Sequence, residues 1–358
     1  MKFLVIGCGS IGRRHMKNLL DLGHEVIGAD LNTEYRKWVD DNLHISTVEN
    51  AEAGLNGGGE SGTPGKSGTP GKPDAVLVCT PPSTHVPLAI TALKAGAHVF
   101  VEKPLSHTLD GVDDLIKLAK SKELCLAVGY NLRFNKALMK VKALLDSNSI
   151  GKVLYARILI GQYLPEWRPW QDYRKSYTAS KKLGGGIILD ASHEFDYARW
   201  LFGEMKEICC IADKVSSLEV ETEDVAEVLL KSERGAIINI HLDFVRRDRT
   251  RHCEIIGENG TIKLDAISGK ISLFSVGVSV GAGSANAVDA MNREMVFESA
   301  EDPNNMYVSE LNNFIDCIKN KKNPLVDGAE GKRSLMLALK AKESSEKSKY
   351  IGLHKNSE

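Results

Sequence analysis

Apolar and amphipathic stretches alternate over the first 130 residues of the chain. Runs rich in Val, Ile and Leu favour β-strands, and the stretches between them carry apolar residues at the three- and four-residue spacing of helices. One such helical stretch contains Val86, Ala89, Ile90 and Leu93. The predicted strands span residues 2–7, 24–30, 43–47, 74–80, 98–103 and 124–130. Strands that alternate with helices in this way predict a doubly wound parallel sheet of the α/β class.

The pattern changes after about residue 150. Longer runs of alternating apolar and polar residues, separated by turn residues, predict antiparallel hairpins at 224–244 and 251–266. Near the end of the chain, the helical spacing of apolar residues predicts one helix through Leu311 and Phe314 and a second through Leu335.

We therefore predict two domains, a doubly wound domain over residues 1–128 and a second α/β domain over residues 129–358. Within the first domain, residues 55–73 are rich in Gly, Ser, Thr and Pro, and the hexapeptide SGTPGK occurs twice, at 61–66 and 67–72. These residues lack side chains able to build a core, and long loops cost little additional closure entropy. We expect this segment to be a mobile, low-complexity loop.

The composition argues against several functional classes. Charged residues make up 26% of the 358 residues and the formal net charge is −1, which gives no support for binding nucleic acid or an anionic membrane surface. No apolar run has the length of a transmembrane helix or a signal peptide, so we expect a soluble, cytoplasmic protein. The seven cysteines are scattered without a CxxC pair, so we expect neither a disulfide nor a metal site.

A glycine motif joins the first predicted strand to the first predicted helix. Gly7, Gly9 and Gly12 have the spacing GxGxxG within GCGSIG. In a strand–turn–helix unit, the first glycine permits a tight turn, the second lets a pyrophosphate approach the backbone, and the third lets helix and strand pack closely. The start of the helix, at Ser10 and Ile11, then faces the anion. This context predicts a dinucleotide site.

Asp30 ends the second predicted strand, 23 residues after Gly7. A carboxylate at this position can accept hydrogen bonds from the adenosine ribose hydroxyls and repels a 2′-phosphate, so the sequence predicts NAD in preference to NADP. The alternative is a structural role, in which Asp30 starts a turn with Asn32.

Two further strand ends carry candidate site residues. In an open parallel sheet, ligands bind outside the carboxyl ends of the strands. Thr80 ends the fourth predicted strand, and Pro81 and His85 follow it. Glu102 and Lys103 end the fifth. We predict that both groups border the nicotinamide end of the cofactor, and a solvated strand end is the alternative for Glu102 and Lys103.

These motifs resemble the glucose-fructose oxidoreductase, inositol dehydrogenase and MocA family, abbreviated Gfo/Idh/MocA. The resemblance covers nearly the whole chain and rests on GCGSIG, TPPSTH, EKP, GYNLRF and GGGIILDASHEFDYARWLFG. It implies an N-terminal Rossmann domain that binds NAD and a C-terminal α/β domain with a large, open, mainly antiparallel sheet. In this family the sheet often builds dimers or tetramers, so we expect a homodimer or homotetramer.

The resemblance also implies the catalytic residues. Lys103 corresponds to the family's active-site lysine, His193 to its acid/base histidine and Asp190 to the companion carboxylate. Here the histidine follows this aspartate by three positions, whereas four is the commonest spacing in the family. On a helix, Asp190 and Asp196 flank His193 at three residues on either side, so either carboxylate is a candidate for orienting the histidine.

The two candidate bases differ in their ordinary acidity. Free lysine has a pKa of about 10.4 and histidine a pKa of about 6.5, so histidine needs less adjustment to accept a proton near neutral pH. We therefore predict that His193 accepts the hydroxyl proton while Lys103 polarises the reacting oxygen, with the reverse assignment as the alternative. Both roles require side chains of the two domains to converge on one cleft.

Substrate contacts are predicted from residues 163–177, YLPEWRPWQDYRKSY. This segment combines aromatic rings that can stack on sugar faces with arginines that can hold a phosphate or carboxylate. An aromatic surface or a subunit contact is the alternative. The full set of predicted substrate-binding residues is Lys103, Asn131, Arg168, Tyr173, Asp190 and His193.

The predicted function is hydride transfer between NAD and a secondary hydroxyl or keto group of a sugar, cyclitol or nucleotide sugar. Two alternatives share the fold. In the first, the enzyme oxidises a sugar transiently to enable elimination or hydrolysis and then restores the cofactor. In the second, the protein senses a dinucleotide without turning over a substrate.

Overall fold

The computed structural model of the chain describes residues 1–57, 71–275, 293–299 and 302–353. The SGTPGK repeat and the loop expected at 55–73 therefore lie largely outside the described residues. The chain forms two compact units. The N-terminal unit comprises Met1–Asn131, Lys182–Gly184 and Tyr307–Met336, and the C-terminal unit comprises Leu132–Lys181, Gly185–Met306 and Leu337–Glu358.

The strands and helices alternate in the first third of the chain, and most of the later strands follow one another directly. The strands are β1 Lys2–Ile6, β2 Glu25–Ala29, β3 Thr47–Val48, β4 Ala75–Val78, β5 His98–Glu102, β6 Leu126–Gly129, β7 Val153–Gly161, β8 Met205–Asp213, β9 Val225–Ser232, β10 Ile237–Asp243, β11 Thr250–Gly257, β12 Gly260–Asp265, β13 Lys270–Ser275, β14 Arg293–Glu298 and β15 Ile351–Gly352. The helices are α1 Ser10–Asp21, α2 Thr33–Leu43, α3 Ala51–Leu55, α4 His85–Lys94, α5 Val112–Ser121, α6 Lys136–Asp146, α7 Leu164–Trp167, α8 Ile187–Asp190, α9 Ser192–Phe202, α10 Asn305–Asn320 and α11 Gly328–Lys347.

The N-terminal unit contains a six-stranded sheet in the order β3-β2-β1-β4-β5-β6. Neighbouring strands in this sheet are parallel, which confirms the predicted doubly wound sheet. The strand β1 is central, with β2 and β3 next to it in one direction and β4, β5 and β6 in the other. In sheets of this kind, ligands bind outside the carboxyl ends of the strands where the strand order reverses, which here is between β1 and β4.

The core of the N-terminal unit includes a helix from the far end of the chain. Phe3, Leu77 and Phe100 of the sheet are buried, as expected for a parallel sheet that is covered on both faces. Leu311 and Phe314 of α10 belong to the same buried cluster. A segment near the end of the sequence, Tyr307–Met336, therefore returns to complete the N-terminal unit.

The C-terminal unit contains a nine-stranded sheet in the order β14-β13-β12-β11-β7-β10-β9-β8-β15. The strands β7 and β10 are parallel, and the other neighbouring pairs are antiparallel. The two predicted hairpins are present as β9–β10 and β11–β12. The prediction of a large, mainly antiparallel sheet is therefore confirmed.

One face of the nine-stranded sheet is packed and the other is partly open. In β9, the side chains of Ala226, Val228 and Leu230 are buried, whereas Glu227 and Leu229 on the opposite face are exposed. This alternation is the expected pattern for an antiparallel sheet with one face on the core. The helix α9, which is buried over most of its length, packs against β7.

The described helices include none that is long and apolar enough to cross a membrane. All seven cysteines have free thiols. Burial raises the pKa of the Cys253 thiol to about 12, so this group stays protonated and packs as a small apolar side chain.

Candidate active site

The glycine turn between β1 and α1 is fixed by close backbone contacts. Gly7 has a φ of 103°, and its N–H donates to the carbonyl oxygen of Ala29 at 2.7 Å. A Cβ on Gly7 would lie 2.6 Å from the carbonyl oxygen of Cys79, and a Cβ on Gly12 would lie 1.8 Å from the carbonyl oxygen of Gly7. Both positions therefore require glycine, because any side chain would collide with backbone atoms.

Gly9 differs from the other two glycines of the turn. A Cβ on Gly9 would have no atom of another residue within 4 Å, apart from its chain neighbours. Gly9 is the N-cap of α1, whose first residues are Ser10 and Ile11, and no side chain caps this helix end. Free backbone N–H groups at a helix N terminus bind anions. The turn therefore fits a dinucleotide whose pyrophosphate approaches the backbone at Gly9.

Asp30 lies beside the glycine turn. Its Oδ2 accepts a hydrogen bond from the N–H of Cys8 at 2.7 Å, and its Oδ1 accepts one from the N–H of Asn32 at 2.8 Å. The guanidinium of Arg36 donates to the main-chain oxygen of Asp30. The hydrogen bond with Asn32 forms the turn that the structural role of Asp30 predicts. The hydrogen bond with Cys8 holds the carboxylate next to the glycine turn, as the ribose-binding role requires. The two roles are therefore compatible.

The loops that follow β4 and β5 are tied together by a histidine. Thr80 and Pro81 begin the first of these loops, and the Thr80 hydroxyl lies 2.7 Å from the hydroxyl of Thr84. His85 is buried, with Nε2 2.7 Å from the carbonyl oxygen of Thr80 and Nδ1 2.8 Å from that of Pro104. Burial lowers the pKa of His85, and a neutral imidazole donates to one of two carbonyls at a time. The ring thus contacts backbone on both sides.

Lys103 follows a buried glutamate at the end of β5. The Nε2 of His15 and the Oε1 of Glu102 are 2.7 Å apart, and the Oε2 of Glu102 accepts the main-chain N–H of Lys103 at 3.2 Å. Lys103 is partly exposed, and its peptide bond to Pro104 is cis. The buried side chain of Glu102 therefore fixes the end of β5, and Lys103 follows it at the carboxyl-terminal end of the sheet.

Asn131 lies just after β6, at the carboxyl-terminal end of the strands of the six-stranded sheet. Its side chain is buried, and it lies near enough to the hydroxyl of Tyr307 on α10 to act on the pKa of that tyrosine. Asn131 therefore has a polar neighbour within the N-terminal unit.

In the C-terminal unit, the triple glycine leads into Asp190 and His193. Gly186 has a φ of 106°, and a Cβ there would collide with a neighbouring carboxylate. Asp190 ends α8, and α9 begins at Ser192, so His193 falls in the first turn of α9. Ser192 and Glu194 are fully buried, whereas His193 is partly exposed. The start of α9 thus leaves its histidine accessible between two buried neighbours.

Tyr177 holds the side chain of Asp190. Its hydroxyl donates to the Oδ1 of Asp190 at 2.5 Å, and Asp190 is 5% exposed. Burial and the nearby Asp190 charge raise the pKa of Tyr177 well above its ordinary value, while the positive charge of Arg168 acts in the opposite direction. Tyr177 therefore stays a protonated donor, and Arg168 lies near enough to Tyr177 to act on its hydroxyl electrostatically.

Asp196, the other carboxylate that flanks His193, forms an ion pair. Arg133 donates from Nε to Oδ2 of Asp196 at 2.8 Å and from a terminal nitrogen to Oδ1 at 2.9 Å. Both side chains are buried, and the guanidinium also lies 5.6 Å from the centre of the Trp200 ring. Both oxygens of Asp196 are thus engaged by one arginine in the bidentate geometry that this pair favours.

The aromatic segment at 163–177 is held by contacts within the C-terminal unit. The indole N–H of Trp167 donates to the main-chain oxygen of Gln162 at 2.9 Å. The hydroxyl of Tyr173 accepts the main-chain N–H of Glu219 at 3.2 Å. The substrate-binding roles of Arg168 and Tyr173 stay predictions.

Two buried polar residues near these positions are not identified by the sequence patterns. His15 lies three residues after Gly12, on the buried side of α1, and Glu310 lies one residue before Leu311 in the apolar stripe of α10. Polar residues at core positions are the available signal. Their partners lie far away in sequence, so the pairing itself has no local signature.

Comparison with protein families agrees with this organisation. Residues 1–130 match the description "Oxidoreductase family, NAD-binding Rossmann fold". Residues 138–263 match the description "GFO/IDH/MocA C-terminal domain". The two matches cover the parallel sheet with its glycine turn and most of the strands of the antiparallel sheet.

Individual relatives match nearly the whole chain. Myo-inositol 2-dehydrogenase of Thermotoga maritima is 29% identical over 360 aligned positions, which cover 99% of this chain and 98% of the relative. The scyllo-inositol 2-dehydrogenase (NAD(+)) of Bacillus subtilis is 27% identical and covers 95% of this chain and 92% of the relative. Among solved structures, the WlbA dehydrogenase from Bordetella pertussis in complex with NADH and UDP-GlcNAcA has a TM-score of 0.78 at 22% identity over 99% of both chains, which shows a shared fold.

The glycine turn, the six-stranded parallel sheet and the nine-stranded sheet thus agree with both family descriptions. The resemblance seen in the sequence is confirmed. The chain belongs to the GFO/IDH/MocA family of oxidoreductases, and its cofactor is NAD, bound by the N-terminal Rossmann domain.

Proposed function

We propose that the protein is a dehydrogenase that transfers a hydride between NAD and a secondary hydroxyl or keto group of a sugar, cyclitol or nucleotide sugar. One observation carries this proposal. The glycine turn and Asp30 follow the carboxyl-terminal ends of strands in the six-stranded sheet, and Lys103 follows the carboxyl-terminal end of β5 in the same sheet. The names of the inositol dehydrogenases and the nucleotide sugar bound to WlbA support this substrate class.

The proposed chemistry separates hydride transfer from proton transfer. Bound NAD supplies the hydride acceptor or donor. When a hydroxyl is oxidised, its proton must also leave, and we assign this proton to His193 because the ordinary pKa of histidine, about 6.5, suits a base near neutral pH. We assign to Lys103 a hydrogen bond to the same oxygen, whose growing negative charge its ammonium group stabilises.

Asp190 is the proposed partner of His193. A carboxylate that accepts the second ring N–H of a histidine fixes its tautomer and its orientation. The contact with Tyr177 supports Asp190 for this role, because the donated hydrogen bond fixes the position of the Asp190 carboxylate. Asp196 is the weaker candidate, since both of its oxygens accept from Arg133.

Arg168, Tyr173 and Asn131 are the proposed substrate contacts outside the catalytic group. Arg168 is the best supported of them, because its charge acts on Tyr177, whose hydroxyl donates to Asp190. A guanidinium at this place can bind a substrate hydroxyl, carboxylate or phosphate through its fixed fork of donors.

We also propose that the protein is a cytoplasmic homodimer or homotetramer that associates through the open face of the nine-stranded sheet. Ile211, Leu229 and Ile237 on β8, β9 and β10 are exposed large apolar side chains. A second copy of the chain would remove them from water. Light scattering should give a mass of two or four chains for the wild type and a smaller mass for Leu229→Arg.

The proposed function can be tested with a panel of polyols and sugars. Myo-inositol, scyllo-inositol, a set of hexoses and UDP-linked amino sugars are incubated with NAD⁺ and the purified protein, and NADH is followed by absorbance. We expect NADH to accumulate with at least one member of the panel. The variant His193→Ala should lose this activity by about a hundredfold or more, as expected for removal of a proton-transfer residue.

A matched control is His252→Ala, because His252 is an exposed histidine on β11 of the same unit. This variant should keep wild-type turnover. Product formed without NADH accumulation would instead favour an enzyme that restores its cofactor. If no panel member reacts and tight NAD binding persists, the dehydrogenase proposal fails and a dinucleotide sensor is favoured.

A further inference from the structure

A buried polar cluster lies directly behind the strand end that carries Lys103. His15 of α1, Glu102 of β5 and Glu310 of α10 each place one nitrogen or oxygen atom within 4.8 Å of the other two. All three side chains are buried, and Glu310 is 3% exposed. The helix α10 therefore brings a second carboxylate next to the glutamate that anchors Lys103.

The three members of this cluster differ in their hydrogen bonds. Glu102 uses one oxygen for His15 and the other for the main-chain N–H of Lys103. Neither oxygen of Glu310 has a hydrogen-bond partner among the described residues. A buried carboxylate without donors is costly when ionised, because nothing replaces the water that stabilised its charge.

No cation within the described part of the chain hydrogen-bonds with Glu310. The charge of Glu102 acts on Glu310, and Glu310 in turn acts on the thiol of Cys79 and the hydroxyl of Tyr307. His15 hydrogen-bonds with Glu102, and Arg14 lies over the ring of Tyr307, 4.4 Å from its centre.

The protonation of Glu310 follows from these contacts. Burial and the Glu102 charge raise the pKa of Glu310 well above its ordinary value. A neutral Glu310 leaves a single carboxylate in the cluster, Glu102, opposite the imidazole of His15. Ionisation of both glutamates would set two like charges side by side in a site that excludes water.

We propose that Glu310 is a positioning residue: as a neutral carboxylic acid it keeps Glu102 in the hydrogen bonds that fix the end of β5, from which Lys103 extends. His15 is the second positioning residue, because it holds the other oxygen of Glu102. This inference rests on the proposed function, in which Lys103 contacts the reacting oxygen. Small displacements of such a group lower turnover steeply, by about a hundredfold for 1 Å.

The kinetic test uses the full-length protein with NAD⁺ and a substrate found in the panel. Glu310→Ala should lower kcat about tenfold or more, with KM and the Kd for NAD⁺ within about twofold of the wild type. Glu310→Gln keeps the shape and the neutral state, so it should restore kcat to within about threefold of the wild type. The matched control is Asp316→Ala, which removes an exposed carboxylate from the same helix and should change neither constant.

Two kinetic results would overturn the proposal. If Glu310→Gln loses as much activity as Glu310→Ala, the ionised form of Glu310 is the one required. If Glu310→Ala is fully active while Lys103→Ala is inactive, the cluster does not position the lysine although the proposed function holds. A Lys103→Ala variant with wild-type turnover would instead refute the proposed function.

A second test measures protonation without activity and serves also if Glu310→Ala does not fold. The infrared spectrum of the wild type at pH 7.5 should contain the carbonyl stretch of a protonated carboxylic acid, which Glu310→Gln should lose and Asp316→Ala should keep. Between the ordinary pKa of glutamic acid and the raised pKa, only the folded state holds this proton, so wild-type stability falls as pH rises relative to Glu310→Gln. The ratio of the two unfolding constants should change about tenfold per pH unit in this range.

A pH-independent ratio together with a missing carbonyl band would show that Glu310 is ionised. Purified protein that retains one divalent cation per chain, which Glu310→Gln loses, would identify the cluster as a cation site. Either result contradicts the proposal.

Discussion

The two units hold their proposed active-site residues by different means. In the N-terminal unit, the glycine turn is a backbone device, since Gly7 and Gly12 have no room for a side chain and Gly9 leaves a helix end open. In the C-terminal unit, Asp190 depends on a side-chain contact with Tyr177. Cofactor binding is therefore encoded by short-range steric requirements, whereas the proposed acid/base group depends on contacts made by the folded unit.

The largest expected effect separates two glycines of the turn. Gly12→Ala should prevent correct folding of the N-terminal unit, because the new Cβ would lie 1.8 Å from the Gly7 carbonyl oxygen. Gly9→Ala should fold normally, because its Cβ has open space, but should weaken NAD⁺ binding by about tenfold or more by blocking the approach of the pyrophosphate. Circular dichroism and NAD⁺ titration measure the two properties. If both variants lost their folded structure equally, Gly9 and Gly12 would have the same structural role, contrary to this prediction.

The next effect concerns the buried ion pair of the C-terminal unit. Asp196→Ala leaves the buried guanidinium of Arg133 without its counter-ion, so the free energy of unfolding should fall by about 3–5 kcal/mol. Asp190→Ala should cost less stability and more turnover. Urea unfolding and steady-state kinetics on both variants measure this contrast. A stable Asp196→Ala variant that has lost only turnover would make Asp196 the partner of His193.

The sequence predicts the N-terminal unit well for a physical reason. The glycine spacing, the position of Asp30 and the strand ends depend on neighbours that are close along the chain. The return of α10 to this unit and the contact between His15 and Glu102 depend on residues that are 87 or more positions apart. No local pattern encodes such pairings, so they emerge only from the fold.

In the C-terminal unit, the sequence predicts the strands of the sheet better than it predicts the contacts around His193. Alternation and turn residues predict the hairpins β9–β10 and β11–β12, which form as expected. The spacing of Asp190, His193 and Asp196 leaves two candidate partners for the histidine, because both lie three residues away. The choice between them depends on Arg133, which is 63 residues from Asp196 in sequence.

A smaller effect is expected from Asp30. Asp30→Asn keeps one oxygen acceptor but removes the charge that repels a 2′-phosphate, so the preference for NAD over NADP should narrow by about tenfold. Titration of both cofactors measures this ratio. An unchanged ratio would leave Asp30 with only its structural contacts to Cys8 and Asn32.

The smallest effect is expected from Tyr177→Phe, which removes one hydroxyl and keeps the ring. Loss of the hydrogen bond to Asp190 should lower kcat about five- to tenfold, in line with about 1–1.5 kcal/mol for one hydrogen bond, and leave the Kd for NAD⁺ unchanged. A weaker affinity for NAD⁺ with unchanged kcat would contradict the division of roles between the units.

The role of Lys103 is tested most directly by the kcat of Lys103→Ala at saturating NAD⁺ and substrate, beside Lys120→Ala as an exposed lysine of the same unit. We predict that Lys103→Ala lowers kcat by about a hundredfold or more, as expected for loss of a group that acts on the reacting oxygen, while Lys120→Ala matches the wild type. A kcat for Lys103→Ala within a few-fold of the wild type would show that Lys103 takes no part in the chemistry.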